Sequence, residues 1–189
     1  TPLERMAARN GNIRLLVVGG SLGAKSMNDL LPEVLAEIPE EQRPEVWHQT
    51  GKRNIEETLE RYKKFNINGC RVEPFIDAMD EAYGWADVVL CRAGALTVSE
   101  LSIAGVASIL VPFPYAVDDH QTKNAAFLAD NGAAILVQQN DLSRDVLKRL
   151  LTEQLNQRET LIEMANKACA LGKPEASDRV ANVCLEAMK

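Results

Sequence analysis

Short apolar runs alternate with stretches of helical periodicity along most of the chain. Residues 13–18 (IRLLVV) form a mostly apolar run closed by Gly19-Gly20, the pattern of a strand buried on both faces. Residues 24–38 then set Met27, Leu30, Leu31, Val34, Leu35 and Ile38 at a helical period. Pro32 inside that stretch predicts a kink or a split, and Pro39 ends it. Five further strand-like runs follow, at 45–50, 70–75, 87–91, 107–111 and 133–137. Between them lie a charged helix over 52–65, a short helix to Trp85 that Asp77 can cap, a helix over 95–104, and one over 120–131 with Gly132 at its end.

The last fifty residues carry no strand pattern. Val146, Leu147, Leu150 and Leu151 mark one amphipathic helix. Leu155, Leu161, Ile162 and Ala165 mark a second, which Gly172-Lys173-Pro174 stops. Val180, Val183, Cys184, Ala187 and Met188 mark a third. No internal repeat or low-complexity tract interrupts this order.

Six short strands separated by helices predict an α/β fold, a doubly wound parallel sheet with helices on both faces. In such sheets ligands sit in the crevice beyond the carboxyl ends of the strands. The informative loops are therefore residues 19–25, 48–52, 75–79, 92–100 and 113–121.

Composition removes several classes. With 189 residues, 46% of them apolar and 25% charged, the chain is long enough for a proper core and is not disordered, collagenous or a coiled coil. A net charge of −6 argues against a general nucleic-acid binder. No apolar run approaches the roughly 18 residues of a membrane span, and the first residues, TPLERMAARNGN, lack the apolar core of a signal peptide. The four cysteines form no CxxC pair and only two histidines are present, so no zinc site is expected. The pattern reads as reduced thiols, with Cys91 a small core residue.

Gly19-Gly20-Ser21-Leu22-Gly23 follows the first strand and opens a helix. Free N–H groups at a helix start favour an anion, so the loop reads as a phosphate cradle, or else as a tight turn packing helix on strand. A dinucleotide fold would want GxGxxG and an acid after the second strand, where His48-Gln49-Thr50-Gly51 stands instead. A P-loop would want glycine where Ala24 stands in GGSLGAKS, and no strand ends in a magnesium-binding Asp. A sugar nucleotide is the third reading.

For that ligand, residues 92–100 (RAGALTVSE) supply small residues at a helix start for a diphosphate and Glu100 for a ribose cis-diol. Glu100 reads equally as a solvated helix residue. Asp118, Asp119, His120 and Gln121 could meet sugar hydroxyls, or the aspartates could cap the helix. His48 reads as structural, without a partner that the sequence identifies.

GGSLGAKSMN, WHQTGK, EPFIDAMDEAYGWADVVLCRAGALTVSEL and VPFPYAVDDHQTKNA, in that order, resemble the C-terminal domain of the MurG family, peptidoglycan glycosyltransferases of family 28. The resemblance runs from about Ile13 to the end, and CRAGALTVSE is its specific segment. It implies one Rossmann-like half of a GT-B enzyme: a single donor domain over residues 1–189, with 1–12 a linker and the N-terminal acceptor domain absent. The implied reaction is inverting transfer of N-acetylglucosamine from UDP-GlcNAc to lipid I, giving lipid II. The catalytic base, the lipid acceptor contacts and the attachment to the cytoplasmic face of the inner membrane would belong to the absent domain.

Carried over to this chain, the resemblance assigns Ser21 and the loop glycines Gly19, Gly20 and Gly23 to the diphosphate side, with Asn28 close by. The uracil would meet the backbone of Ile76, with Phe75 and Met79 beside it. Ala95, Leu96 and Thr97 would line the diphosphate, with Gly94 in the phosphate loop and Val98 and Ser99 among the UDP-GlcNAc-binding residues; Glu100 would take the ribose, and His120 and Gln121 the sugar. No catalytic residue, bound metal or nucleic-acid partner is expected in this chain. The alternatives kept open are a P-loop-like nucleotide hydrolase and a non-catalytic nucleotide-sugar-binding module.

Overall fold

The computed structural model of the chain describes residues 1–20 and 23–188. Its strands are β1 (Arg14–Val18), β2 (Glu45–Gln49), β3 (Arg71–Glu73), β4 (Val88–Cys91), β5 (Ala107–Leu110) and β6 (Ala134–Leu136). Its helices are α1 (Pro2–Ala7), α2 (Lys25–Ala36), α3 (Ile55–Lys64), α4 (Met79–Trp85), α5 (Ala95–Ala104), α6 (His120–Ala129), α7 (Arg144–Arg149), α8 (Arg158–Leu171) and α9 (Ala176–Ala187). The strands form one sheet in the order β3-β2-β1-β4-β5-β6, and every pairing is parallel. This is the Rossmann-like doubly wound sheet that the sequence predicts.

All residues of β4 and β5 are buried, because helices cover both faces of the sheet. The pleat divides their side chains. Leu15, Val17, Val88, Leu90 and Ile109 join a core layer with Met27 and Leu31 of α2, Leu147 of α7 and Leu161 of α8. Leu16, Val89, Cys91 and Leu110 join the opposite layer with Ala82 of α4, Val98 and Leu101 of α5, and Leu128 of α6.

Asp87, wholly buried just before β4, ties the amino end of the sheet together. Its Oδ1 lies 2.6 Å from Arg9 Nη1, and its Oδ2 lies 3.2 Å from Arg158 Nη2. Oδ2 also accepts the backbone N–H of Arg14, at 3.0 Å. Arg9 donates further to the carbonyls of Gly84 and Ala86, and Arg5 to those of Ala104 and Gly105 at the end of α5. The expected linker thus contains a helix, α1, that Thr1 and Glu4 cap and that two arginines bind to the domain.

Other local expectations are corrected. Pro32 does not split α2: its ring is buried, and the helix runs on one turn to Ala36. Asp77 does not cap α4, whose N-cap is Ala78 with no side-chain bond. Leu150 and Leu151 leave α7 for a wide turn over Leu150–Gln154. The final helical pattern does form α9, yet none of its residues is buried.

The imidazole of His48 is fully buried, with Nδ1 3.0 Å from the Tyr62 hydroxyl and Nε2 3.0 Å from Asn28 Oδ1. An amide oxygen only accepts, so Nε2 carries the proton and Nδ1 accepts from Tyr62. Burial pushes the imidazole pKa down to about 3.

Two predictions follow from these buried groups. Asp87→Ala strands two arginines among buried carbonyls and is expected to cost about 3–5 kcal/mol, read from the urea midpoint. A loss below about 1 kcal/mol would remove the carboxylate from its anchoring role. For His48, the unfolded ring takes up a proton below pH 6.5, whereas the native ring does so only near pH 3. Its contribution is therefore complete above the unfolded pKa and is lost as pH falls, by about 2 kcal/mol between pH 6.5 and about 5. Urea unfolding at about pH 7.5 and pH 5 checks this; His48→Gln should flatten the difference, and an unchanged slope would assign it to other groups.

Candidate functional site

The strand order reverses between β1 and β4, and a groove of about 620 Å³ opens beyond their carboxyl ends. Gly19, Gly20 and Gly23 after β1 line it, with Arg92, Gly94 and Thr97 after β4. Phe113 and Gln121 after β5, and Gln139, close the far side. A groove of about 660 Å³ also lies at the opposite end of the sheet beside α1, away from these loops.

The glycine loop is shaped first by packing. A Cβ on Gly19 would overlap the Ala24 amide, and one on Gly23, at φ +75°, would overlap the Thr50 carbonyl oxygen. Gln49 braces the loop. Its Oε1 accepts from the Gly19 N–H at 3.1 Å, and its Nε2 donates to the Gly20 and Pro74 carbonyls at 2.9 and 3.2 Å. Ser21 lies outside the described residues. Lys25, which a P-loop would aim at phosphate, is 2.5 Å from Glu57 and 3.3 Å from Asp29. Asn28 is buried away from the groove, between His48 and the Thr50 carbonyl, to which it donates at 2.9 Å.

Gly94 is the N-cap of α5, and no side chain caps the helix. The first-turn amides of α5 therefore lack a side-chain capping acceptor, and Gly94 and Thr97 of this turn line the groove. Beside them the Arg92 guanidinium donates to the carbonyls of Val111 and Pro112, both at 3.2 Å. It also donates to Gln139 Oε1 at 2.5 Å and Ser26 Oγ at 3.2 Å, and it stands 5.4 Å from the Phe113 ring. Partial burial lowers its pKa, but a guanidinium stays charged. A full positive charge and a helix N-terminus thus share one wall. Leu96 is 79% exposed. Val98 belongs to the core, and Ser99 bonds back to the Ala95 carbonyl, so these two brace α5 rather than line the groove.

The loop after β5 is pinned from within. Gln121 Oε1 accepts from the backbone N–H groups of Phe113 and Ala93, at 2.9 and 3.3 Å. His120 is exposed, its Nδ1 donating to the Val117 carbonyl at 2.8 Å. Asp118 and Asp119 both adopt φ +52°, and neither side chain caps α6.

A second group of predicted residues gathers between α4 and α5. Met79, Tyr83, Glu100 and Ile103 line a groove of about 490 Å³ there. Glu100 is exposed, and its Oε2 accepts from the Tyr83 hydroxyl at 2.9 Å. Phe75, 45% exposed, and buried Ile76 precede α4. Of the expected residues, the structure brings Gly19, Gly20, Gly23, Gly94, Thr97 and Gln121 to one groove and Met79 and Glu100 to the other, and Asn28, Val98 and Ser99 line neither. Sequence reading missed Arg92, although its place just after β4 was signal enough. Gln139 and Tyr83 had no such signal. Among the described residues, no group of three or more His, Cys, Asp or Glu could hold a metal ion, and no helix is long and apolar enough to cross a membrane.

A family model described as the glycosyltransferase family 28 C-terminal domain matches residues 14–180. A Marinobacter nauticus protein named UDP-N-acetylglucosamine–N-acetylmuramyl-(pentapeptide) pyrophosphoryl-undecaprenol N-acetylglucosamine transferase is 53% identical over 186 residues, which cover 98% of this chain and 51% of that protein. A Pseudomonas fluorescens protein of the same name is 54% identical, over 98% of this chain and 51% of its own length. The crystal structure of Acinetobacter baumannii MurG superposes with a TM-score of 0.90 at 42% identity, covering 98% of this chain and 53% of that one. The chain spans about half the length of the curated relatives it matches. With that match over most of its length, the chain belongs to the glycosyltransferase family 28 C-terminal domain family.

Proposed function

We propose that this chain is the donor-binding half of a glycosyltransferase that moves N-acetylglucosamine from UDP-GlcNAc to a lipid-linked muramyl-pentapeptide acceptor with inversion. The observation that carries the reading is the uncapped N-terminus of α5 beside Arg92 at the strand-order reversal, with Glu100 one turn further along the helix. The names of relatives at about half identity supply the donor and acceptor.

In this reading the uracil lies against Phe75 and Met79 and bonds the backbone of Ile76. Glu100 accepts from the ribose hydroxyls. The diphosphate rests on the amides of residues 95–97 and on Arg92, and the sugar extends toward His120 and Gln121. When the anomeric carbon–oxygen bond breaks, negative charge grows on the departing UDP. The α5 N-terminus and Arg92 are already oriented toward that charge, which lowers the barrier without reorganisation. The base, the lipid acceptor and any peripheral membrane contact belong to the part of the relatives that this chain does not span. The reading asks for no protein-bound metal.

Calorimetric titration of the chain with UDP-GlcNAc, UDP, ATP with magnesium, and NAD tests the proposal. UDP and UDP-GlcNAc should bind and the other two should not; binding of ATP alone would overturn it. Glu100→Ala should weaken UDP binding by roughly 1.5–3 kcal/mol, the scale of a hydrogen bond to a charged group. A change within about twofold removes Glu100 from the ribose role. Arg92→Ala should weaken UDP at least about tenfold while leaving uridine nearly unchanged, because only the diphosphate meets the cation. Equal losses for both ligands would assign Arg92 to loop structure alone.

A further inference from the structure

Tyr83 is nearly buried in α4, its ring in the core layer that also holds Val98 and Leu101 of α5. Its hydroxyl emerges at the groove between the two helices and donates to Glu100 Oε2 at 2.9 Å. Burial raises its pKa well above the usual phenol range, so the hydroxyl remains a donor at any working pH. Among the described residues this is the carboxylate's one hydrogen bond, and no cation pairs with it.

An exposed glutamate loses considerable rotamer freedom when a ligand fixes it. Here part of that freedom is already gone, because a donor on a core-anchored ring holds one oxygen. A carboxylate offers about four acceptor sites. Tyr83 occupies one on Oε2, and on this exposed side chain Oε1 and the rest of Oε2 accept from no other group among the described residues. That is an acceptor pair suited to two neighbouring hydroxyls.

We infer that Tyr83 is a positioning residue: it holds Glu100 ready for the ribose diol and so sets the preference for ribonucleoside over 2′-deoxyribonucleoside diphosphates. The inference rests on the ribose role proposed for Glu100. It gives the buried tyrosine a task in recognition without contact to the ligand. Its effect should be largest for ligands that carry both ribose hydroxyls.

The test is calorimetric titration of the wild-type chain, Tyr83→Phe, Glu100→Ala and the double variant with UDP and 2′-deoxy-UDP. Tyr83→Phe retains the ring, and thermal melts record any loss of stability. Its affinity for UDP should fall about tenfold. The ratio of 2′-deoxy-UDP to UDP dissociation constants should fall toward that of Glu100→Ala. Adding Tyr83→Phe to Glu100→Ala should then change neither constant, a result that a purely structural tyrosine would not give. If Glu100→Ala lowers the ratio and Tyr83→Phe leaves it at the wild-type value, the inference fails and the ribose reading stands. If Glu100→Ala leaves the ratio unchanged, the ribose reading fails and this inference fails with it.

Discussion

A carboxylate in a dry interior is tolerated only when its charge and its lone pairs are met, and Asp87 meets that condition by drawing on three distant segments. Arg9 follows α1, Arg158 begins α8, and the Arg14 amide opens β1. None of them can leave without stranding a buried group. The central strands β1 and β4 are thereby joined at their amino ends by a side chain as well as by their own ladder. Their carboxyl ends consequently reach the groove in a fixed relation, and the glycine loop and the N-terminus of α5 inherit that relation. The firmest electrostatics of the domain thus stand at the end of the sheet remote from the groove.

The groove end obeys a different rule. Its loops are braced by neutral amides: Gln49 on the glycine loop, Gln121 between the loops after β4 and β5, and Gln139 against Arg92. An amide donates and accepts, so it can hold backbone in place without bringing negative charge near an anion site. Arg92 shows the consequence. Its four acceptors are two backbone carbonyls, a hydroxyl and an amide oxygen, none of them ionised. Arg9 and Arg158 share the one charge of Asp87, and Lys25 pairs with Glu57 and Asp29. The cation at the groove is held in place by neutral groups and keeps its full charge. Location alone would not have distinguished Lys25 from Arg92, since both line the groove.

The strands and the loops that matter were legible because parallel strands covered on both faces must be apolar throughout, and their polar terminators stand out. The failures share a physical origin. Helix α1 is six residues long; its Thr1–Glu4 capping box is local, but Arg5 and Arg9 hold it to the domain through carbonyls 75 to 100 positions away, which no local pattern records. His48 looked partnerless because Asn28 and Tyr62 approach it from two different helices. The resemblance places Asn28 near the diphosphate, and in the fold its amide bonds that imidazole and the Thr50 carbonyl. The break expected at Pro32 follows from a rule for isolated helices, whereas here the residue is buried and α2 continues to Ala36.

The stretch from Ala95 to Glu100 shows why a contiguous motif cannot be a contiguous contact surface. Successive residues on a helix turn by about 100°, so six of them sweep more than a full circle. Something in the motif must face the core, and that residue is Val98. Thr97 and Glu100 stand three residues apart, close to one turn along the helix, and open on different grooves. Thr97 opens on the groove beside Arg92, while Glu100 opens on the groove shared with Tyr83. One helical turn therefore separates the anion end of the site from the acidic end. In the proposed reading, the ligand that spans it is negative at one end and carries hydroxyl donors at the other, as a nucleoside diphosphate does.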